Sequence, residues 1–280
     1  MNIAIAIACV AACYFVHRVH FWVREGKRMQ TAGYLPPEPS WFGRTFYTVI
    51  CRIGARIACG PITVIGRENA DYDGRLAVVP NHQHGLDFAV IRVAMPWPYR
   101  QIGALKEAAR FPGMATLCAW IGTFTVPVQG GKASSGGQAA IDACARYLTR
   151  RLAKLLMFPQ GKLVFDNVLR SIDFRTGAVR ALQAAQLMIT DGDVPAFLPV
   201  AIYYHPSTSA TNLFRRGINW LWRKFLSGYN SGPVCGATVV IGKPIPISDL
   251  PTDIRQATEV LRVKIQELLD QATLAASCSA

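Results

Sequence analysis

The chain has 280 residues, 51% of them apolar and only 17% charged, enough for a full hydrophobic core in one catalytic domain with a short appendage. Lys and Arg number 30 against 17 Asp and Glu, a net charge of +13, which favours an anionic partner: nucleic acid, a bilayer surface or an acidic carrier. Eight cysteines without a C-x-x-C pair or a cluster with His exclude a disulfide framework and fit a reducing compartment.

Residues 3–16, I-A-I-A-I-A-C-V-A-A-C-Y-F-V, form an unbroken apolar run that His17, Arg18 and His20 then interrupt. The run is shorter than the ~20 residues an upright span requires. It reads as a shallow or re-entrant anchor, with Arg18, Arg24, Lys27 and Arg28 toward lipid phosphates. A span reaching Val23, with Arg18 snorkelling, stays open. No basic region precedes the run, which disfavours a cleaved signal peptide. After the linker Y-L-P-P-E-P-S-W, Ser40 caps a second expected helix from Trp41. Phe42, Phe46, Val49, Ile50, Ile53 and Ile57 share one of its faces. Pattern alone allows that face to meet either a core or a membrane. The charge of +5 up to Gly60 favours the membrane for both helices.

From Pro61 short apolar runs alternate with helical stretches, the pattern of an α/β domain with a mixed central β-sheet flanked by helices. Strands are expected at 62–66, 76–80, 100–105, 123–128, 155–158, 196–203 and 237–242. Helices are expected near 86–95, 105–120, 136–152, 174–188, 212–226 and 252–272. Residues 129–137, Q-G-G-K-A-S-S-G-G, read as a loop. The division is therefore 1–60, two membrane-contacting helices, and 61–280, the catalytic domain.

The segment L-A-V-V-P-N-H-Q-H-G-L-D, residues 76–87, carries the most chemistry. Two histidines and an aspartate appear where a strand should end, the place where α/β sheets commonly build sites. His82 and Asp87 are five apart, so a turn into a helix brings the carboxylate back to the imidazole. One ring nitrogen is then fixed by the carboxylate, and the other is free to take a proton from a hydroxyl. A zinc site using His82-x-His84 is the rival, but outside this segment only His17, His20 and His205 remain as further histidine ligands.

N-H-x-x-x-x-D after an apolar strand resembles the first motif of the glycerolipid acyltransferases, the family that includes 1-acylglycerol-3-phosphate acyltransferase. The resemblance runs in order from about Gly60 to Leu269. Residues 104–126, A-L-K-E-A-A-R-F-P-G-M-A-T-L-C-A-W-I-G-T-F-T-V, look like the lysine-bearing helix and second motif, with Lys106 and Gly122 at family positions. M-F-P-Q-G at 157–161 resembles the third motif, F-L-P-V-A-I at 197–202 the fourth, and V-V-I-G-K-P-I-P at 239–246 the late strand.

The resemblance implies that His82 deprotonates an acceptor hydroxyl, which attacks the thioester of acyl-coenzyme A or acyl-carrier protein, while Asp87 orients the base. It implies substrate contacts by Lys106, Gly122, Phe158, Pro159, Gln160, Gly161, Lys162, Arg175 and Pro199, where segments 81–87, 122–128, 158–163 and 199–202 converge. It also implies no cofactor beyond the acyl carrier as co-substrate, membrane lipids as partners, no nucleic acid, and the cytoplasmic face of the cell membrane. Backbone N–H groups near Gly161, or in the helix after Gly85, are the expected oxyanion donors. No G-x-S-x-G element accompanies the motifs, in keeping with direct transfer.

The departures concern the acceptor. The third motif normally reads F-P-E-G-T-R, and here Gln160, Lys162 and Leu163 stand at Glu, Thr and Arg. Val128 occupies the arginine position that ends the second motif. In the family those arginines hold the acceptor's phosphate, in a bidentate geometry that Lys does not copy. Lys132, Lys162, Arg170 and Arg175 are the candidate replacements. Two other readings stay open: a non-catalytic lipid-binding or scaffolding relative, and a zinc-dependent hydrolase. The basic, aromatic stretch 213–228 fits a bilayer interface better than a nucleic acid, and a plain surface helix equally well.

Overall fold

A computed structural model describes residues 3–31, 33–104, 112–126, 128–129, 132–133, 137–206 and 234–277. The expected elements at 105–111 and 212–226, and with them Lys106 and the 213–228 stretch, lie outside the described residues. By packing, the chain divides into two compact units, 1–44 with 102–143, and 45–101 with 144–280. The change of texture at residue 60 falls at the end of a helix, Trp41–Cys59.

In the first unit, α1 (Ile3–Arg28) packs on the short α4 (Met114–Trp120). Gly26 permits the close approach, because a Cβ there would lie 2.6 Å from the Thr116 nitrogen. Trp22, Met29 and Ala119 are buried together, and buried Glu25 takes hydrogen bonds from Arg28 and Tyr34. Gly122 closes α4 at φ +76°, its N–H going to Ala119 and that of Thr123 to Cys118. That is the left-handed helix stop for which glycine is favoured. The following strand β4 (Phe124–Val126) pairs in parallel with Ile102–Ala104, the second part of β3 (Arg100–Ala104). A two-residue ladder, β5 (Val128–Gln129) with β6 (Lys132–Ala133), and the start of α5 (Gly137–Leu148) complete the unit.

The second unit is built on a mixed sheet, as the alternating elements predict. Its order is β1 (Ile62–Ile65), β9 (Val234–Ile241), β8 (Ala196–Pro206), β2 (Leu76–Pro80), β7 (Lys154–Leu156) and the first residues of β3. All pairs are parallel except β8 with β9, and β8 with the short β10 (Ile245–Pro246). β2 is buried on both faces, which explains its unbroken apolar run. Leu76, Val78, Leu198, Val200, Val239 and Ile241 point to one side, against α2 (Trp41–Cys59) and α3 (Asp87–Ala94). On the sheet's helix-bearing periphery, α7 (Ile254–Ser277) packs on β8 and β9, and α6 (Gly177–Met188) on β2.

Helix α2 begins as its capping residue predicts, with Ser40 Oγ accepting the Gly43 N–H at 3.1 Å. Its small residues Cys51, Ala55, Ala58 and Cys59 face the core. Phe46, Val49, Ile50, Ile53 and Ile57 are exposed, so the bulky face read from the sequence does not pack into this unit's core. On α1, Ile5, Ile7, Val10, Tyr14, Phe15, Val16, Val19 and Val23 are likewise exposed. Among the described residues no helix is long and apolar enough to cross a membrane.

Candidate active site

β2 ends at Pro80, and buried Asn81 turns the chain toward α3. Its amide exchanges two hydrogen bonds with the backbone of Ile202 on β8, at 2.9 and 2.7 Å. The strand end is thereby fixed to its neighbour, and the next residue is His82. Asp87 is the first residue of α3, where the helix N-terminus favours a negative charge. Its Oδ2 lies 2.7 Å from His82 Nδ1 and also accepts the N–H groups of Gln83 and His84, at 2.8 and 3.0 Å. Asp87 is fully buried, whereas the His82 side chain keeps 20% of its surface exposed. With Nδ1 donating to the carboxylate, Nε2 carries the free lone pair, and it has no hydrogen-bond partner among the described residues. The pair joins a held nitrogen to an open one, the arrangement of a general base.

F-P-Q-G holds the base from the other side. It forms a turn closed by Gly161 N–H to Phe158 O at 3.1 Å, with Gly161 at φ +61°. The Phe158 ring stacks on the His82 imidazole, with centroids 4.1 Å apart and planes 25° apart. Gln160 is fully buried; its Oε1 accepts the His82 N–H at 2.6 Å, while its Nε2 is buried without a partner among the described residues. Val164 N–H returns to His82 O at 2.8 Å, and Arg175 N–H to Pro159 O at 2.8 Å. Gln83 ties the same turn to the next loop through Asn167 Oδ1 and Asp166 O.

Lys162 forms an ion pair with Asp173 at 2.6 Å, and Arg170 with Asp166 at 2.5 Å. Arg175 has no carboxylate partner among the described residues, and its Nε is buried and unbonded. Pro199 lies inside β8, buried opposite Val79, its ring near Gly242 and its carbonyl accepting the Gly242 N–H. Gly122 belongs to the first unit, as the helix stop described above. Side chains at 128–133, Lys132 among them, are outside the description. Among the expected oxyanion donors, Gly161 N–H closes its turn, and in the segment after Gly85 the N–H groups of Leu86 and Asp87 bond His84.

His84 is buried, its Nδ1 accepting the Leu86 N–H at 3.1 Å, so it shapes the turn. Among the described residues no group of three His, Cys, Asp or Glu side chains is placed to hold a metal. One close neighbour of the pair has no signal in the local sequence. Tyr204, on β8, donates its hydroxyl to Asp87 Oδ1 at 2.5 Å. Burial, and then the charge of Asp87, hold its phenol well above the usual tyrosine range, so it remains a donor.

The strand-end pair, the turn clasping it and most of the mixed sheet lie within the span of an acyltransferase family model. The chain belongs to the Acyltransferase family, whose model matches residues 61–203, just over half of the chain. Its fold is similar to that of the 1-acyl-sn-glycerophosphate (LPA) acyltransferase PlsC of Thermotoga maritima. The TM-score is 0.54 at 15% identity, over 81% of each chain. No curated protein sequence matches at a significant level.

Proposed function

We propose that the protein transfers a fatty acyl group from acyl-coenzyme A or acyl-carrier protein to the hydroxyl of a lipid acceptor at a membrane surface. The observation that carries this reading is the buried Asp87 carboxylate on His82 Nδ1, which leaves Nε2 open. Nε2 takes the acceptor's hydroxyl proton as the oxygen attacks the thioester carbonyl carbon. The tetrahedral adduct collapses, the C–S bond breaks, and the thiolate recovers the proton from the imidazolium. Asp87 stabilises that imidazolium and holds the tautomer. No acyl-enzyme and no cofactor are required.

The relative of known structure is named for a phosphate-bearing acceptor, and of the candidate cations Lys162, Arg170 and Arg175 among the described residues, Arg175 is the one without a carboxylate partner. Lys162 and Arg170 are already neutralised by Asp173 and Asp166. The acceptor in this reading is a lysophospholipid-like molecule whose anionic group meets Arg175. The exposed apolar faces of α1 and α2 favour attachment to a membrane surface by shallow insertion.

The test is transfer of labelled acyl chains from both donors to phosphate-bearing and phosphate-free lysolipids, with wild type beside His82→Ala. Transfer lost in the variant supports the reading. Transfer unaffected by the substitution, or absent from wild type with every pair, overturns it.

A further inference from the structure

We infer that Tyr204 is a positioning residue of this site, setting the charge and orientation of Asp87 and thereby the proton affinity of His82. The inference rests on the acid–base reading above and extends it to a residue 117 positions away in the chain.

The donors around Asp87 divide unequally between its two oxygens. Oδ2 receives three: the imidazole and the N–H groups of Gln83 and His84. Oδ1 receives one among the described residues, the Tyr204 hydroxyl. The carboxylate is fully buried, so water does not replace a missing donor, and a buried carboxylate oxygen without one is costly. The single bond to Oδ1 also sets the rotation of the carboxylate plane, and with it the approach of Oδ2 to Nδ1.

Tyr204 is itself held in place. It continues the face of β8 that carries Val200 and Ile202 into the core beneath α2 and α3. β8 is tied to the catalytic turn by the paired Asn81–Ile202 hydrogen bonds. The His84 ring lies 5.0 Å from the phenol ring. Among the described residues, the titratable groups around Asp87 and Tyr204 are His82 and His84 from the turn, and Cys59 from the end of α2. None of them is a fixed cation, so the Tyr204 dipole and the backbone N–H groups bear the carboxylate's charge whenever His82 is neutral.

The direction of the effect follows. A hydrogen bond to a carboxylate stabilises its ionised form, so it reduces the pull that Asp87 exerts on an imidazolium proton. Removing the hydroxyl concentrates negative charge beside His82. The coupled pair then holds its proton more tightly, whichever partner carries it. The base becomes harder to free at neutral pH, and the acid limb of the pH–rate profile moves upward.

The experiment uses the full chain. The His82 imidazole is titrated by NMR, assigned through His82→Ala, in wild type, in Tyr204→Phe, and with 3-fluorotyrosine at 204. The transfer rate from acyl-coenzyme A to 1-acylglycerol-3-phosphate is followed over the same pH range. Tyr204→Phe is expected to raise the His82 midpoint by about one unit and to lower kcat by up to about tenfold on the acid limb of the profile, with a smaller change in KM. The fluorinated phenol, a stronger donor with the same packing, is expected to lower the midpoint, and it decides the matter if Tyr204→Phe does not fold. A midpoint unmoved by the substitutions overturns the inference, even if the rate falls, because lost packing alone lowers the rate without moving a titration. If wild type transfers nothing with any of the donor and acceptor pairs named above but the midpoint moves as stated, acyl transfer fails and the role of Tyr204 stands. If transfer depends on His82 while Tyr204→Phe changes neither rate nor midpoint, the reverse holds.

Discussion

Gln160 Oε1 accepts the backbone N–H of His82 at 2.6 Å. The position where the third motif departs from its usual Glu is thus a direct support of the base. An amide accepts this bond as well as a carboxylate does, without placing a second negative charge beside the His82–Asp87 pair. Its cost is the buried Nε2, which has no partner among the described residues.

Gln160→Glu is accordingly expected to keep transfer activity while moving the acid limb of the pH–rate profile upward, since a second buried carboxylate favours the protonated imidazole. Gln160→Ala leaves the His82 N–H without its acceptor, at a cost of about 1–3 kcal/mol. Denaturant unfolding and a pH–rate series on the two variants check both statements.

Asp87→Asn keeps the shape of the site but not the charge that fixes His82 in the tautomer with Nε2 free. A loss in kcat of about 10²- to 10⁴-fold is expected, comparable to removing the base itself. Activity near wild type in Asp87→Asn would dismiss the acid–base pair.

Arg175→Gln is expected to lower kcat/KM at least about tenfold for phosphate-bearing acceptors and to leave phosphate-free ones nearly unchanged. The loss corresponds to one charge-assisted hydrogen bond. Lys162→Gln and Arg170→Gln should show no such selectivity, because both cations already pair with aspartates. Kinetics on matched acceptor pairs separate the cases.

The exposed face of α2 makes a prediction about membranes. Replacing Phe46 and Ile53 with Ser should weaken binding to anionic vesicles by at least about tenfold, given ~1.5–3 kcal/mol for each side chain removed from water. Stability in solution should change little, since neither residue is buried. Vesicle sedimentation beside thermal unfolding checks this; equal sedimentation of variant and wild type would remove the membrane role from this helix.

Lys154 supplies a pH effect on stability. Burial lowers its ammonium to about 8 from the ordinary 10.5, while Nζ donates to the carbonyls of Tyr72 and Gly74. Because the folded-state value is depressed, the unfolded chain binds more protons between about 8 and 10.5. Lys154 therefore makes unfolding less favourable as pH rises through that window, and costs stability below it. Denaturant unfolding of wild type and Lys154→Met at pH 7.5 and 9.5, values chosen to straddle about 8, should show a rise with pH for wild type that the variant lacks.

Much of this was legible in the chain. The strands at 62–65 and 76–80, the start of α2 at Trp41 and the His82–Asp87 contact all follow from spacings of five residues or fewer, or from short apolar runs. α1 runs to Arg28, well past the apolar segment at 3–16, because its later turns pack on α4 through Trp22, Gly26 and Met29 rather than through a continuous apolar surface. The engagement of Lys162 and Arg170 with aspartates could not be read beforehand. Both lie in a loop whose charges alternate, and chain distance does not rank such pairs.

The sequence by itself determined the alternation of strand and helix, the family motifs in order, and the placement of an acid–base pair at a strand end. These depend on local geometry, which the period of side chains along a strand or helix encodes directly. Tertiary structure decided which residues complete the site. Tyr204 reaches Asp87, and Gln160 reaches His82, only because the register of β8 and β7 beside β2 brings strand ends together from 117 and 78 residues away. Tertiary structure also decided which side of α2 faces outward. Periodicity marks an apolar face but not its partner, and the core accepted the small side chains of Cys51, Ala55 and Ala58 because they allow the helix to approach the sheet closely.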